Sequence, residues 1–370
     1  FMKLFKSLLV APATLGLLAP MSATANEVTI GDFSPAEQIA VTNSRVDGLE
    51  ARMNDMEAGG FSETTTASFS LDTVFGAVDG GNDATEAVSF DYQMNIGLST
   101  SFTGEDSLDV TIDIGGTGAS ATGTEAAQIM GYQKTGDKLT VDGITYTFPV
   151  GGATVVVGDT TDISSTFTGA CAYSAFTDAT PDDCGTGNSL GVGGNGVTAS
   201  VGYTFDSGFS LAGGVSSTET AIMTKEGTDT YGVEAAYNAD SYGVAVAFVS
   251  VDNAASDETT YWGVNAFYAP ESTSLPSLSV GVETEETSGV EESGYFVGLT
   301  WPEVGPGSVS LGLATQENYK DSETELLIYE ASYSYPINDG MTITPGVYIK
   351  EAAAGTDDDT GFLVKTSFSF

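Results

Sequence analysis

Apolar and polar side chains alternate one for one through most of this chain, and a side-chain period of two belongs to strands, not helices. Residues 108–114 show it most clearly: Leu108, Val110, Ile112 and Ile114 alternate with Asp109, Thr111 and Asp113. In residues 362–370, Phe362, Val364, Phe368 and Phe370 share one face with Thr366, while Leu363, Lys365, Ser367 and Ser369 take the other. Such a strand offers an apolar group to one medium and mostly polar groups to another. Similar apolar faces are Phe90/Tyr92/Met94/Ile96/Leu98, Val197/Ala199/Val201/Tyr203/Phe205, Tyr231/Val233/Ala235/Tyr237, Tyr295/Val297/Leu299/Trp301 and Tyr329/Ala331/Tyr333/Tyr335.

A β-sandwich also alternates, so connection lengths must choose. The pattern predicts strands at 62–77, 87–104, 107–117, 138–150, 152–160, 196–206, 208–218 and 228–238 in the first half. It predicts further strands at 241–252, 258–269, 276–286, 292–301, 307–316, 323–335, 340–350 and 360–370. Every second connection is turn-like, as at Gly104-Glu105-Asp106, Gly151-Gly152, Asp206-Ser207-Gly208, Asn238-Ala239-Asp240 and Pro336-Ile337-Asn338-Asp339-Gly340; the others are mostly longer and acidic. About 16 strands with short turns at one end and long loops at the other describe an all-β, transmembrane antiparallel β-barrel. No segment after residue 25 approaches the ~20 consecutive apolar residues of a membrane helix, so a barrel is the form in which this chain could span a bilayer. Phe102, Phe148, Tyr203, Phe205, Tyr237, Tyr268, Trp301, Tyr335, Phe368 and Phe370 gather at the short-turn ends, where a membrane–water aromatic girdle is expected.

The first residues read differently. Lys3 and Lys6, an apolar run from Leu8 to Leu18, and Ala23-Thr24-Ala25 make a cleaved secretory signal over residues 1–25. Residues 26–60 read as a linker and a short periplasmic helix. Ser34-Pro35-Ala36-Glu37 is a capping box with Pro at the first helical position, and Gly59-Gly60 stops the helix. Between them Ile39, Thr42, Val46, Leu49, Met53 and Met56 follow a coiled-coil a/d seam. A seam this short suits copies already held together, or a lone helix packed on the barrel mouth. Residues 61–370 are expected to be the barrel.

Charge narrows the function. The chain carries 51 acidic against 10 basic residues, a net charge of -41, which argues against a nucleic-acid partner. It has no His, and no Arg follows Arg52. Catalytic residues, a metal site and cofactors are expected to be absent: the usual triads and zinc sites lack their His, and two cysteines in one connection do not pair a nucleophile with a base. An enzyme is therefore not expected. Cys171 and Cys184 suggest a local disulfide in an exported protein, or two free thiols in a loop.

Charged residues in the polar phase should line the lumen: Asp72, Asp91, Asp109, Asp113, Glu234, Glu283 and Glu330, against Lys350 and Lys365. A pore so lined prefers cations, less so as salt screens its wall. The longest connection, about 161–195, carries Asp178, Asp182 and Asp183 beside the two cysteines. It would be either a constriction folded into the lumen or a stapled surface loop.

Three segments carry a family resemblance. Ser44-Arg45-Val46-Asp47-Gly48-Leu49-Glu50-Ala51-Arg52, Ile144-Thr145-Tyr146-Thr147-Phe148-Pro149-Val150 and the run from Tyr333 to Pro345 resemble cyanobacterial outer-membrane porins of the Som type, related to the carbohydrate-selective OprB group. The resemblance covers roughly residues 40–370 and implies a homotrimer in outer-membrane lipid, passing small hydrophilic solutes and cations, with inorganic iron among the solutes. The S-layer-homology domain usual before the coiled coil has no counterpart in residues 26–60, and no sugar-binding residue is matched. The sequence reading is thus an outer-membrane diffusion porin preferring cations. Alternatives are a substrate-selective channel for sugars or inorganic iron, and a non-conducting structural or adhesive barrel.

Overall fold

A computed structural model describes residues 65–80, 87–116, 124–179, 196–253, 258–320 and 322–370. The expected signal (1–25) and helix (26–60), with Asp182, Asp183 and Cys184, lie outside the described residues.

Sixteen strands close into one antiparallel barrel. The first eight are β1 (Thr65–Asp79), β2 (Ser89–Thr100), β3 (Ser107–Gly116), β4 (Thr140–Val150), β5 (Ala153–Thr161), β6 (Gly196–Thr204), β7 (Phe209–Ser217) and β8 (Asp229–Asn238). The rest are β9 (Tyr242–Asp252), β10 (Thr259–Tyr268), β11 (Ser277–Thr287), β12 (Val290–Val304), β13 (Gly307–Thr315), β14 (Leu327–Asn338), β15 (Met341–Lys350) and β16 (Asp359–Ser369). Each strand pairs with its sequence neighbours, and β1 pairs with β16 to close the ring. The strands fall on the segments that alternation predicts. The largest departures are β2, which ends at Thr100 instead of 104, and β14, which starts at Leu327 instead of 323 and reaches Asn338.

The two faces exchange the roles they have in a water-soluble protein. Phe75, Phe90, Val233, Trp262 and Phe362 point outward and are exposed. Asp91, Asp113, Glu234, Asn265, Ser279 and Glu330 point inward and are buried. Turn chemistry fixes the register between them. At Gly151-Gly152 and again at Ser288-Gly289 both turn residues have positive φ, the two-residue hairpin geometry whose twist matches the strands it joins. Ser288-Gly289 is a tight turn at the end where most connections are long. At the short-turn end outward aromatics touch along one strand end, as in Tyr203–Phe205 with ring centroids 4.7 Å apart, and between a turn and a strand, as in Phe102–Tyr146 at 6.3 Å.

Candidate functional site

Two connections from the long-loop end run into the barrel. The first follows β5. Thr160 takes the left-handed region at φ 55°, and the β5–β6 register shifts between Asp159 and Thr161, so the chain is turned off the wall by a bulge. Asp162 then caps a 3-10 turn, Ile163–Thr166, by accepting from Ser164 N at 2.8 Å. Ile163 is fully buried against Ala247 and Val249 on the inward face of β9.

From there the backbone is tied to one wall strand after another. Thr168 N and Gly169 N donate to Glu234 of β8 at 2.6 and 3.2 Å, and Ala170 N donates to Asn265 Oδ1 of β10 at 3.0 Å. Ala172 N donates to Ser279 Oγ of β11 at 2.9 Å. Glu330 of β14 then accepts four bonds: Tyr173 Oη (2.5 Å), Phe176 N (2.9 Å), Thr177 N (2.9 Å) and Thr177 Oγ1 (2.6 Å). A carboxylate buried without a cation must have its lone pairs filled, and these four donors fill them. Because the bonds follow strand order, the segment runs along the wall and not straight across the lumen.

Inward glycines make room for it. A Cβ at Gly232 would lie 2.3 Å from Ile163 Cδ1, at Gly298 2.4 Å from Tyr173 Cδ2, and at Gly346 2.4 Å from Phe176 Cε1.

The second inner segment follows β3 and was not foreseen from the sequence. Thr124 caps a short helix, α1 (Glu125–Ile129), by accepting from Ala127 N at 3.1 Å, while its hydroxyl donates to Asp91 Oδ2 at 2.5 Å. Ala126, Ala127, Ile129 and Tyr132 pack with Val74, Val78 and Leu363 of the wall and with Tyr173 and Phe176 of the first segment. The two segments meet where Asp178 N donates to Ile129 O at 2.8 Å. Beside this seam is a cavity of about 400 Å³ bordered by Glu125, Gln128, Asp178, Tyr348, Lys350 and Asp359.

All nine strand residues picked out by the polar phase face inward, but they differ in exposure. Asp91, Asp113, Glu234, Glu283 and Glu330 are buried, Glu234 and Glu330 beneath residues 168–177. Asp72, Asp109, Lys350 and Lys365 are half-buried, and Asp109 accepts from Ser107 Oγ. Asp178 is exposed at the seam. Cys171 is disulfide-bonded. Asn265 and Ser279, which hold the loop, were missed; their signal is a polar residue in the inward phase two positions from a glycine, Gly263 and Gly281. Among the described residues no group of three or more metal-ligating side chains comes together.

Known proteins share this architecture. The high-pH structure of Pseudomonas putida OprB matches 83% of this chain and 94% of its own, with a TM-score of 0.67 at 13% identity. A loop-deletion mutant of OmpT, an outer-membrane protein of Vibrio cholerae, matches 83% of this chain and 100% of its own at a TM-score of 0.59 and 9% identity. A mutant Rhodopseudomonas blastica porin matches 82% and 100%, at 0.52 and 15%. The fold is the porin fold. In sequence, an uncharacterized protein of Nostoc sp. is 33% identical over 165 residues, which is 40% of this chain. The chain spans about a quarter (27%) of that relative's length. No protein-family model matches the chain.

Proposed function

We propose that this chain forms an outer-membrane channel for passive diffusion of small hydrophilic solutes, narrowed by its two inner segments. The observation that carries the reading is the loop tied by Glu234, Asn265, Ser279 and Glu330 along the wall. A segment anchored strand by strand reduces a lumen without sealing it. The exposed apolar exterior suits a bilayer, and the polar interior suits water and solutes. Porin-like neighbours with the same barrel support a channel over an enzyme.

Cation preference belongs to the same proposal. It follows from the excess of Asp and Glu over Lys in the inward phase and from a net charge of -41. So do export through a signal at residues 1–25, insertion into outer-membrane lipid, and a homotrimer whose copies meet along the seam from Ile39 to Met56. Asp182, Asp183 and a Cys171–Cys184 bridge would complete the constriction.

Reconstitution in a planar bilayer under a KCl gradient tests this. Conductance steps in groups of three, with a cation-selective reversal potential that fades at high salt, support the channel. Silence in every preparation overturns it in favour of an adhesive or structural barrel. Flux that saturates with one sugar or with ferric iron replaces simple diffusion with a substrate-selective channel.

A further inference from the structure

One connection folds over the outside of the barrel. Ser217 ends β7 and Asp229 starts β8 at the long-loop end, both in the outward phase with Val215 and Tyr231. Val215 and Tyr231 are exposed, yet Ser217 and Asp229 are only 5% and 6% exposed. The connection between them, residues 218–228, covers them. Met223 N donates to Ser217 Oγ at 3.0 Å, and that hydroxyl donates to Asp229 Oδ1. Met223 takes a left-handed φ of 54°, and Tyr231 Oη reaches its Sδ at 3.8 Å. Turns closed by Thr218 O, Ala221 O and Thr224 O keep the connection compact. It forms a hook over the outer surface, with Ile222 and Met223 exposed on it.

Beneath the hook the wall is hollowed. Val201, Gly213 and Val233 lie side by side on β6, β7 and β8, so the middle of that row has no side chain. In the next row toward the hook, Ala199 beside Val215 is small. The result is an apolar hollow of about 590 Å³, bordered by Phe248 on β9. It runs from Tyr231, two residues below Asp229, to Val201, five below Gly196. With ~3.3 Å per residue and a strand tilt of ~40°, five residues descend about 13 Å, half of an apolar band ~25 Å tall. The hook above carries both signs of charge: Glu219, Lys225 and Glu226 are exposed, and Lys225 is one of only six Lys after residue 60.

We propose that hollow and hook together bind one bilayer phospholipid with a zwitterionic headgroup, its acyl chain lying on Gly213 below Met223 and its phosphate at Lys225. The proposal rests on the exterior facing a bilayer, and not on conduction. A groove of this depth that is apolar throughout suits an acyl chain of one leaflet, which is thin enough to lie on the glycine floor. A second copy would bring a broad convex wall, which the overhanging hook keeps off that floor. Charge complementarity selects the head. Phosphate is drawn to Lys225 and ammonium to Glu219 and Glu226, whereas a purely anionic head would meet two carboxylates for one ammonium.

Native mass spectrometry of the detergent-extracted full chain, with phosphatidylethanolamine or phosphatidylglycerol added, tests this. The wild type is expected to keep one phosphatidylethanolamine at activation energies that strip all other lipid. G213L fills the hollow from outside, where a Cβ would lie 3.3 Å from its nearest neighbour, Gly232 O, and should lose the retained lipid. If G213L does not fold, I222S/M223S decides, since it removes the apolar cover and leaves the wall intact; it should lose the lipid too. Retention equal to wild type in the folded variants overturns the proposal. So does phosphatidylglycerol held as firmly as phosphatidylethanolamine. An oligomer that G213L dissociates, with no lipid kept by the wild type, would give the hollow to a second copy instead. A chain that stays in solution without detergent sinks the bilayer reading, and the proposal with it.

Discussion

The ring of Phe370 stacks on that of Phe69, with centroids 5.7 Å and planes 14° apart, where β16 meets β1. The same two residues exchange backbone bonds, Phe69 N to Phe370 O at 2.8 Å and Phe370 N to Phe69 O at 3.0 Å. The rings therefore sit across the seam that turns a sheet into a barrel. A stacked aromatic pair contributes ~0.5–1.5 kcal/mol beyond the area it buries. Urea unfolding of vesicle-embedded F69A, F370A and the double variant should give a coupling energy in that range. Additive single effects would mean the rings act through lipid contact alone.

Glu330 makes a sharper prediction. E330A leaves Tyr173 Oη, two backbone N–H groups and the Thr177 hydroxyl without their acceptor. Stranding buried donors costs ~1–3 kcal/mol each, well above what the loop gains from any one contact. The loop should leave the wall while the strands, whose ladders are untouched, stay paired. Limited proteolysis within residues 162–195 should become faster, and single-channel current larger and noisier. E330Q should also release it, because an amide nitrogen turns one acceptor into a donor facing donors. Protease resistance equal to wild type in both variants would count against the anchor.

The contrast between wall and loop also explains what the sequence disclosed. Strand positions and the inward phase of Asp91, Glu234 and Glu330 were legible because a period of two leaves no freedom about which face a residue takes. The route of the loop was not. Residues 163–177 carry neither periodicity nor charge, and their position is set by partners 35 to 157 residues away. α1 is a five-residue helix, too short to show a pattern, and stable only because Ala126, Ala127 and Ile129 find a wall to pack on. Glu234 and Glu330 read as pore lining from their phase alone. Their burial under a neutral loop depends on three-dimensional partners.

Gly346 tests the space beneath that loop. Its missing side chain admits Phe176, which is 4% exposed. G346A would put a methyl 2.4 Å from the ring, far inside contact distance. Overpacking of this kind costs about 1–3 kcal/mol, and here the loop can relieve it by lifting. The expected phenotype is a loop cut by protease as in E330A, with an unchanged unfolding midpoint for the barrel. A lowered midpoint with a protected loop would show that the strand yields first.

The turn between β2 and β3 should respond to acid. Asp106 accepts from Tyr146 Oη at 2.6 Å, Thr103 N at 2.7 Å, Thr103 Oγ1 at 2.8 Å, and Ser101 Oγ and Phe102 N at 2.9 Å. The Tyr146 hydroxyl contributes most to holding its carboxyl well below the usual carboxylate range, with the Thr103 and Ser101 bonds adding to it against the opposing effect of burial. A group whose pKa is lower in the folded than in the unfolded state stabilises the fold above the unfolded value, near 3.9 for Asp, and loses that contribution as pH falls toward the folded value. The turn's stabilisation is thus complete at neutral pH and declines below about pH 4. D106N lacks the ionisable acceptor, so it should unfold at lower urea than wild type at pH 7, with the two midpoints converging toward pH 2. A gap between them that is the same at pH 7 and pH 2 would mean that the charge on Asp106 contributes nothing and that shape alone sets the turn.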